Sequence, residues 1–227
     1  MSRLFGGLII LLALCAPARA DLPRIVSLNL CADAYLMAFA ERSQILALTA
    51  FSRNPDLSAF AEEAQNFPVS DGRIETIVGL RPDLVIVSPY SDPLRNRLLA
   101  EQGVKIFVLD AAADYAAARA EITRLGTAIE RPTQAAAYRA RLDTALAASR
   151  NDTGARILPV QRRGLTIGDT HILADIIRHA GAHLIGDFKG HMRAVGLEAV
   201  IASKADYILL SEADPHARDR GLSLIHI

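Results

Sequence analysis

The sequence predicts an α/β fold of two lobes with mostly parallel central sheets, joined by one long rigid helix, with the second lobe incomplete. Short continuous apolar stretches alternate with helical segments, which is typical of a parallel sheet covered on both faces. A run without glycine or proline, TQAAAYRARLDTALAASR, follows Pro132. A fourteen-residue pattern occurs once on each side of that run.

The first lobe is assigned to residues 21–131. We expect strands at RIVSLNL, ILALTA, LVIVS and KIFVLD, and a polar loop at FSRNPDLSAF. The expected helices are ADAYLMAFA, the segment Glu75–Leu80, DPLRNRLLAEQG, and a segment that ends at Glu130 and begins at its N-cap residue, Asp114.

The linking helix is assigned to residues 132–150, with Pro132 in its first turn. Tyr138, Leu142 and Leu146 recur every fourth residue and form one apolar stripe. At 1.5 Å per residue the helix spans roughly 28 Å, the width of a small domain. The second lobe, residues 151–227, then begins with strands at ILPVQ and LTIG and a helix at HILADIIRHAG.

The repeated pattern is IETIVGLRPDLVIV in the first lobe and LEAVIASKADYILL 123 residues later. Without a gap, Glu75 aligns with Glu198, Arg81 with Lys204 and Asp83 with Asp206. The alignment predicts the same short helix, basic turn and buried strand in each lobe. A chance likeness between two helix–strand units is the alternative interpretation.

The first twenty residues are typical of a secretory signal cleaved after Ala20, because an apolar run ends in Ala-Arg-Ala. Lipid anchoring at Cys15 is the alternative, and the bulky Leu14 before that cysteine disfavours it. Cleavage removes Arg3 and Arg19 from a chain of net charge zero and leaves about −2. Cys31 then remains as the single cysteine, and we expect it to be a buried apolar residue rather than a nucleophile.

Several functional classes are excluded by what the chain does not contain. It has no basic run and no zinc-finger spacing, so nucleic acid is not an expected partner. It lacks the G-x-S-x-G motif of hydrolases, and SLNLCAD rather than a glycine-rich turn follows the first strand. We therefore do not expect an enzyme.

Glu75 and Glu198 each fall in the first turn of a predicted helix. The simplest interpretation is that each carboxylate stabilises the positive end of the helix dipole by roughly 0.3–1 kcal/mol. Two glutamates at matching sites in an exported protein with two lobes also suggest a docking pair for a two-fold symmetric membrane partner. Such rim charges set register and association rate more than affinity.

The stretches RIVSLNLCADAYLMAF, GRIETIVGLRPDLVIVSPY and GLEAVIASKADYILL, with the helix between them, resemble the cobalamin and iron-siderophore substrate-binding proteins of ABC importers. The resemblance covers residues 24–211. It implies a periplasmic monomer without a cofactor of its own, which captures a cobalamin-type corrinoid or an iron chelate between its lobes. Delivery would be to a dimeric permease in the inner membrane, whose arginines contact Glu75 and Glu198. A ligand sensor of the same fold is the alternative.

Ligand-binding candidates follow from the loops at the carboxyl ends of the predicted strands, where open α/β sheets bind their ligands. For each residue, ordinary loop chemistry is the alternative: a glycine that permits a turn, or a side chain that caps a helix. The candidates are Asn29, Leu30, Arg53, Asn54, Asp71, Gly72, Tyr90, Leu165, Gly168, Asp169, Thr170, His191 and Met192.

The ligand class stays open between a corrinoid, a ferric siderophore and haem, with the corrinoid preferred. The chain has no tryptophan, and Asn54 stands where a corrinoid site of the resembled family has an aromatic residue. A bare zinc or manganese ion is disfavoured because all six histidines lie from His171 onward, which leaves the first lobe without an imidazole. We expect His171, His179 and His183 to be surface or packing residues.

The second copy of the pattern is followed by only seventeen residues, SEADPHARDRGLSLIHI. The first lobe continues through a further helix and strand at this point, so we expect the second lobe to be truncated. The terminal LSLIHI resembles translated adapter sequence. Such a fragment should leave part of its sheet uncovered and bind its ligand poorly.

Overall fold

The computed structural model describes residues 22–161, 164–186 and 189–210. The predicted signal peptide and the segment after Leu210 lie outside the described residues. Within them, the chain forms two α/β units, each built on a parallel sheet, with a long helix between them.

The first lobe contains a four-stranded parallel sheet in the order β2-β1-β3-β4. β1 and β3 are buried along their whole length because a strand lies on each side of them and helices cover both faces. The strands are β1 (Ile25–Ser27), β2 (Ile45–Ala47), β3 (Leu84–Val87) and β4 (Lys105–Val108).

The first lobe contains five α-helices, besides two short 3₁₀ helices at Arg42–Gln44 and Ala50–Arg53. Three of them begin at side chains that cap backbone N–H groups, which explains where they start: Asn29, Asp92 and the predicted Asp114. The helices are α1 (Leu30–Phe39), α2 (Ala61–Ala64), α3 (Ile74–Gly79), α4 (Pro93–Glu101) and α5 (Tyr115–Ala128).

The linking helix is α6 (Pro132–Ala148), without a break, where the sequence predicts a helix over 132–150. Tyr138 and Leu142 of the predicted stripe pack against the core of the first lobe, where Tyr138 meets the rings of Tyr35 and Phe39. α5 and α6 approach so closely that a Cβ atom at Gly126 would lie 2.3 Å from the Cβ of Ala135. Glycine is therefore required at that crossing.

The second lobe contains a three-stranded parallel sheet in the order β7-β5-β9 and an antiparallel ribbon of β6 and β8. Its strands are β5 (Arg156–Val160), β6 (Leu165–Ile167), β7 (His183–Leu184), β8 (Met192–Ala194) and β9 (Tyr207–Leu210). Its helices are α7 (Ile172–His179) and α8 (Leu197–Ala202).

The two copies of the repeated pattern have the same backbone. Each gives a six-residue helix, α3 or α8, and then a strand, β3 or β9, that pairs in parallel with the first strand of its lobe. The aligned basic residues both take the left-handed conformation, with φ of 53° at Arg81 and 50° at Lys204. Such angles are uncommon outside glycine, so their coincidence supports the alignment strongly.

A matching clamp holds each turn. In the first lobe, the Arg24 backbone N–H donates to Asp83 Oδ2 at 2.7 Å and its guanidinium donates to the Leu80 carbonyl at 2.8 Å. In the second lobe, Arg156 makes the same two bonds, to Asp206 Oδ2 and to the Ser203 carbonyl, at 2.8 Å each. The repeat therefore extends to an arginine at the start of the first strand of each lobe: Arg24 directly precedes β1, and Arg156 is the first residue of β5.

Two expectations about burial are wrong. All four residues of β9 are exposed, although the sequence predicts a buried strand, because the described residues place no strand on its outer edge and little packing on its faces. Cys31 is also exposed, since it lies in the first turn of α1 on the side away from the core. Although the residue as a whole is exposed, partial burial of its thiol raises the pKa of that thiol, and the nearby Asp33 carboxylate raises it further. A raised pKa leaves less thiolate, so Cys31 is a poor nucleophile.

Candidate ligand cleft and docking surface

The first lobe presents its candidate residues at the carboxyl edge of its sheet. Asn29 and Leu30 follow β1, and Tyr90 follows β3 with its side chain 88% exposed. The Asn29 Oδ1 atom accepts the N–H groups of Cys31 and Ala32 at 2.8 and 3.2 Å, so this atom caps α1. Tyr90 has the greater freedom to contact a ligand.

The loop after β2 is held mainly by its own bonds. The Arg53 guanidinium donates to the Phe67 carbonyl at 2.7 Å, and Asn54 Oδ1 accepts the Asp56 N–H at 2.9 Å. These bonds fix the loop at the edge of the sheet. They also show that the Arg53 and Asn54 side chains both have a structural role that does not depend on a ligand.

The turn before α3 contains Asp71 and Gly72. Asp71 accepts the Arg73 N–H at 2.9 Å and the Thr76 hydroxyl at 3.0 Å, and the backbone bond from Arg73 is the main cause of its lowered pKa. Gly72 has a φ of 74°, which other residues rarely adopt. Asp71 therefore stays ionised and organises the start of the helix that carries Glu75.

A buried carboxyl lies beneath this edge. Asp33 is inaccessible to solvent, and its Oδ2 accepts both the N–H and the hydroxyl of Thr49, at 3.1 and 2.6 Å. Burial raises its pKa to about 6, against the lowering effect of hydrogen bonds from Ser27 and Thr49. The group joins α1 to the loop after β2 and so ties two of the candidate loops together.

The second lobe brings its candidates together through the β6–β8 ribbon, in which Leu165 pairs with Ala194 and Ile167 with Met192. At the end of this ribbon, the Gly168 N–H donates to the His191 carbonyl at 2.9 Å. Asp169 Oδ1 accepts the Gly190 N–H at 3.0 Å, and the Thr170 N–H donates to the Gly190 carbonyl at 3.3 Å. Residues 168–170 and 190–192 thus form one bonded loop pair.

His171, which the sequence predicts to be a surface or packing residue, lies beside this loop pair. Its ring lies 4.7 Å from that of His191, centroid to centroid, with 32° between the planes. Burial and the neighbouring His191 lower the pKa of His171. The antiparallel ribbon causes the encounter, and no motif in residues 165–194 indicates it, because strands of three residues leave no readable periodicity.

The lobes meet beside the linking helix. The Tyr115 N–H at the start of α5 donates to Asp175 Oδ2 on α7 at 2.9 Å, and the Tyr115 hydroxyl donates to Asp143 Oδ1 on α6 at 2.9 Å. Arg119 also pairs with Asp143 at 3.1 Å. α5 follows β4 and α7 follows β6, so these contacts join the segments after those two strands.

Glu75 and Glu198 occupy the first turns of α3 and α8, and both are exposed. The Glu75 side chain is 80% exposed, with Arg73 Nε 3.9 Å from its Oε2. At the position aligned with Arg73, the second copy has Gly196. The two carboxylates are thus equivalent in backbone position, and only the first has a cation next to it in the pattern.

Among the described residues, no group of three or more His, Cys, Asp or Glu side chains is arranged to hold a metal ion. The helices described are all too short or too polar to cross a membrane. An open groove of about 600 Å³ lies at the amino ends of β5 and β9, lined by Thr153, Gly154 and Tyr207 among others. It is on the opposite edge of the sheet from the candidate residues.

A model of the periplasmic binding protein family matches residues 25–221, which is most of the chain. The chain belongs to the periplasmic binding protein family. The family is one of solute-binding proteins. No curated protein matches this periplasmic binding protein.

Solved structures share its fold at low sequence identity. A periplasmic solute-binding protein of Staphylococcus epidermidis, described as a possible iron-binding protein, matches with a TM-score of 0.71 and 15% identity, over 83% of this chain and 77% of that one. A periplasmic haem-binding protein of Vibrio cholerae gives 0.70 and 19%, over 83% and 76%. A vitamin B12-binding protein of the same species gives 0.61 and 21%, over 83% and 76%.

Proposed function

We propose that this periplasmic binding protein captures a cobalamin-type corrinoid or an iron chelate between its lobes and delivers it to a dimeric ABC permease in the inner membrane. Export with cleavage after Ala20 and a monomeric state are parts of the proposal. The observation that carries it is the exposed glutamate at the same backbone position of each lobe, Glu75 on α3 and Glu198 on α8.

Capture without chemistry is supported by the candidate edges of the two sheets. The loops at these edges are held by their own hydrogen bonds, as at Arg53, Asp71 and Asp169, so little ordering is left for the ligand to drive. The unbroken α6 and the bond between Tyr115 and Asp175 limit how far the lobes separate. Two of the structures that share its fold are described as binding haem and vitamin B12, both of which are large metal complexes.

Docking is supported by the clamp beneath each glutamate. Bonds from Arg24 and Arg156 hold the two helix–turn–strand units in the same conformation, so a two-fold symmetric partner meets two equivalent acidic corners. Exposed carboxylates at such corners favour rapid, oriented association with basic pockets.

The docking experiment uses a cobalamin-type permease in detergent or nanodiscs and measures association rates with wild-type protein. Glu75→Ala and Glu198→Ala should each slow association, and the double variant should abolish most of it. Glu62→Ala, which removes an exposed glutamate from the first turn of α2, is the matched control and should associate like wild type. Unchanged capture by the double variant would remove the docking role and favour a ligand sensor of the same fold.

Arg73→Gly sharpens this experiment because it copies Gly196 of the second lobe into the first. Removing the cation 3.9 Å from Glu75 leaves that carboxylate freer to meet a basic pocket, so association with the permease should become slightly faster.

Ligand capture is measured separately, by titrating the protein with cyanocobalamin, ferric siderophores and hemin and following the visible absorbance of each. If the protein is folded by circular dichroism and binds none of the three, the proposed function is overturned.

A further inference from the structure

The most distinctive group at the edge of the second lobe is the pair of imidazole rings of His171 and His191. His171 is the N-cap residue of α7, and His191 directly precedes β8. The bonded loop pair of residues 168–170 and 190–192 holds the rings 4.7 Å apart. The pair therefore lies on a built support, next to the loop that the ligand is expected to contact.

The hydrogen bonds of the two rings fix opposite tautomers. His171 Nδ1 lies 3.1 Å from the Leu173 N–H, which can only donate, so Nδ1 accepts and Nε2 carries the proton. His191 Nδ1 lies 3.3 Å from the Thr170 carbonyl, which can only accept, so Nδ1 donates and Nε2 keeps its lone pair. In their neutral forms, one ring offers an N–H donor and the other an acceptor.

Neither Nε2 atom is engaged within residues 22–161, 164–186 and 189–210, and the His191 ring is exposed. A donor and an acceptor held side by side complement a group that both accepts and donates, and a primary amide, whose oxygen accepts while its NH₂ donates, is such a group. A carboxylate has no N–H or O–H for the acceptor ring, and leaving that nitrogen unpaired in a closed cleft costs affinity.

We propose that His171 and His191 bind a primary amide of the ligand, with His171 Nε2–H donating to the amide oxygen and His191 Nε2 accepting from the amide nitrogen. This inference rests on the proposed function and selects among its ligands. Corrinoids carry primary amides around the rim of the macrocycle, whereas haem carries carboxylates at its rim. The imidazole pair thus discriminates in favour of a corrinoid.

The lowered pKa of His171 supports this arrangement because it keeps that ring neutral at neutral pH. A protonated His171 would have to donate from Nδ1 as well, which would set two N–H groups against each other at the start of α7. The cap and the donor role of Nε2 are therefore compatible only in the neutral ring.

The experiment compares cyanocobalamin with hemin on two variants. His171→Asn retains a good helix cap but loses the ring donor, and His191→Phe retains the ring stack but loses the acceptor. Each variant should bind cyanocobalamin about two- to tenfold more weakly than wild type, which corresponds to the loss of one hydrogen bond. The affinity of each variant for hemin should be unchanged. His183→Phe changes an exposed histidine on β7 and should bind both probes like wild type.

Cyanocobalamin is chosen because both axial positions of its cobalt are occupied, so direct coordination by an imidazole cannot explain a loss. If wild type binds cyanocobalamin and neither variant weakens it, the amide role is overturned while the transport proposal stands. If His191→Phe weakens the binding of hemin but not of cyanocobalamin, and changes the visible spectrum of bound hemin, His191 is a metal ligand and the amide role is also overturned. If wild type binds a siderophore or hemin but no cyanocobalamin, the inference fails alone. Thermal unfolding followed by circular dichroism verifies that each variant is folded.

Discussion

The two copies of the repeated pattern have one backbone but opposite environments. β3 lies between β1 and β4 and is buried at every residue, whereas β9 has β5 on one side and is exposed at every residue. Nevertheless, the left-handed residue, the aspartate bond and the arginine clamp recur in both. The helix, turn and strand are thus specified by short-range bonds, and burial is decided by what packs against them.

The largest expected difference between the copies is the effect of a core truncation. Ile86→Ala in β3 should lower the free energy of unfolding by about 2–5 kcal/mol, because Ile86 is fully buried. The aligned change Leu209→Ala in β9 should cost under about 1 kcal/mol, since 41% of that residue is already exposed. Urea denaturation of the two variants measures this difference. Equal costs would mean that β9 is covered in solution.

A second contrast between the lobes is the response of stability to pH. The folded-state pKa of Asp33, about 6, exceeds its unfolded value of about 3.9. The folded protein therefore binds more protons between pH 4 and 6, and Asp33 lowers stability as the pH rises through that window, by up to about 3 kcal/mol. Asp33→Asn removes this loss.

The measurement is the free energy of unfolding of both proteins from pH 4 to 7. The Asp33→Asn variant should gain on wild type as the pH rises to 6, and the difference should then stay constant. In the second lobe, Thr166 is the only polar residue among the described buried ones, so no comparable carboxyl is expected there. A difference that does not depend on pH would show that the Asp33 carboxyl has an ordinary pKa.

The smallest expected effect tests whether the turns are equivalent. Arg81→Gly and Lys204→Gly should each stabilise the protein by up to about 1 kcal/mol, because glycine relieves the left-handed strain but is more flexible when unfolded. Arg81→Ala is the control and should give no gain, since it keeps the Cβ atom. A gain at one turn only would break the equivalence of the two copies.

The candidate site was predictable to different degrees in the two lobes. Parallel strands place their following loops at one edge, so the sequence could assign Asn29 and Tyr90 to that edge from the strand pattern alone. In the second lobe, the partner of His191 is His171, twenty residues away across a ribbon of three-residue strands. Cys31 was misjudged because its neighbours are apolar, although it occupies the outer side of the first turn of α1.

By itself, the sequence determined most elements of the first lobe, the linking helix and the alignment of the two copies, because capping side chains, apolar runs and turns act within a few residues. Only the tertiary structure decided which strand is buried, which loops carry bonded side chains, and that two histidines face each other with opposite tautomers. Those outcomes depend on groups far apart in the chain, and hydrogen-bond geometry between such groups is fixed only when the sheets have assembled.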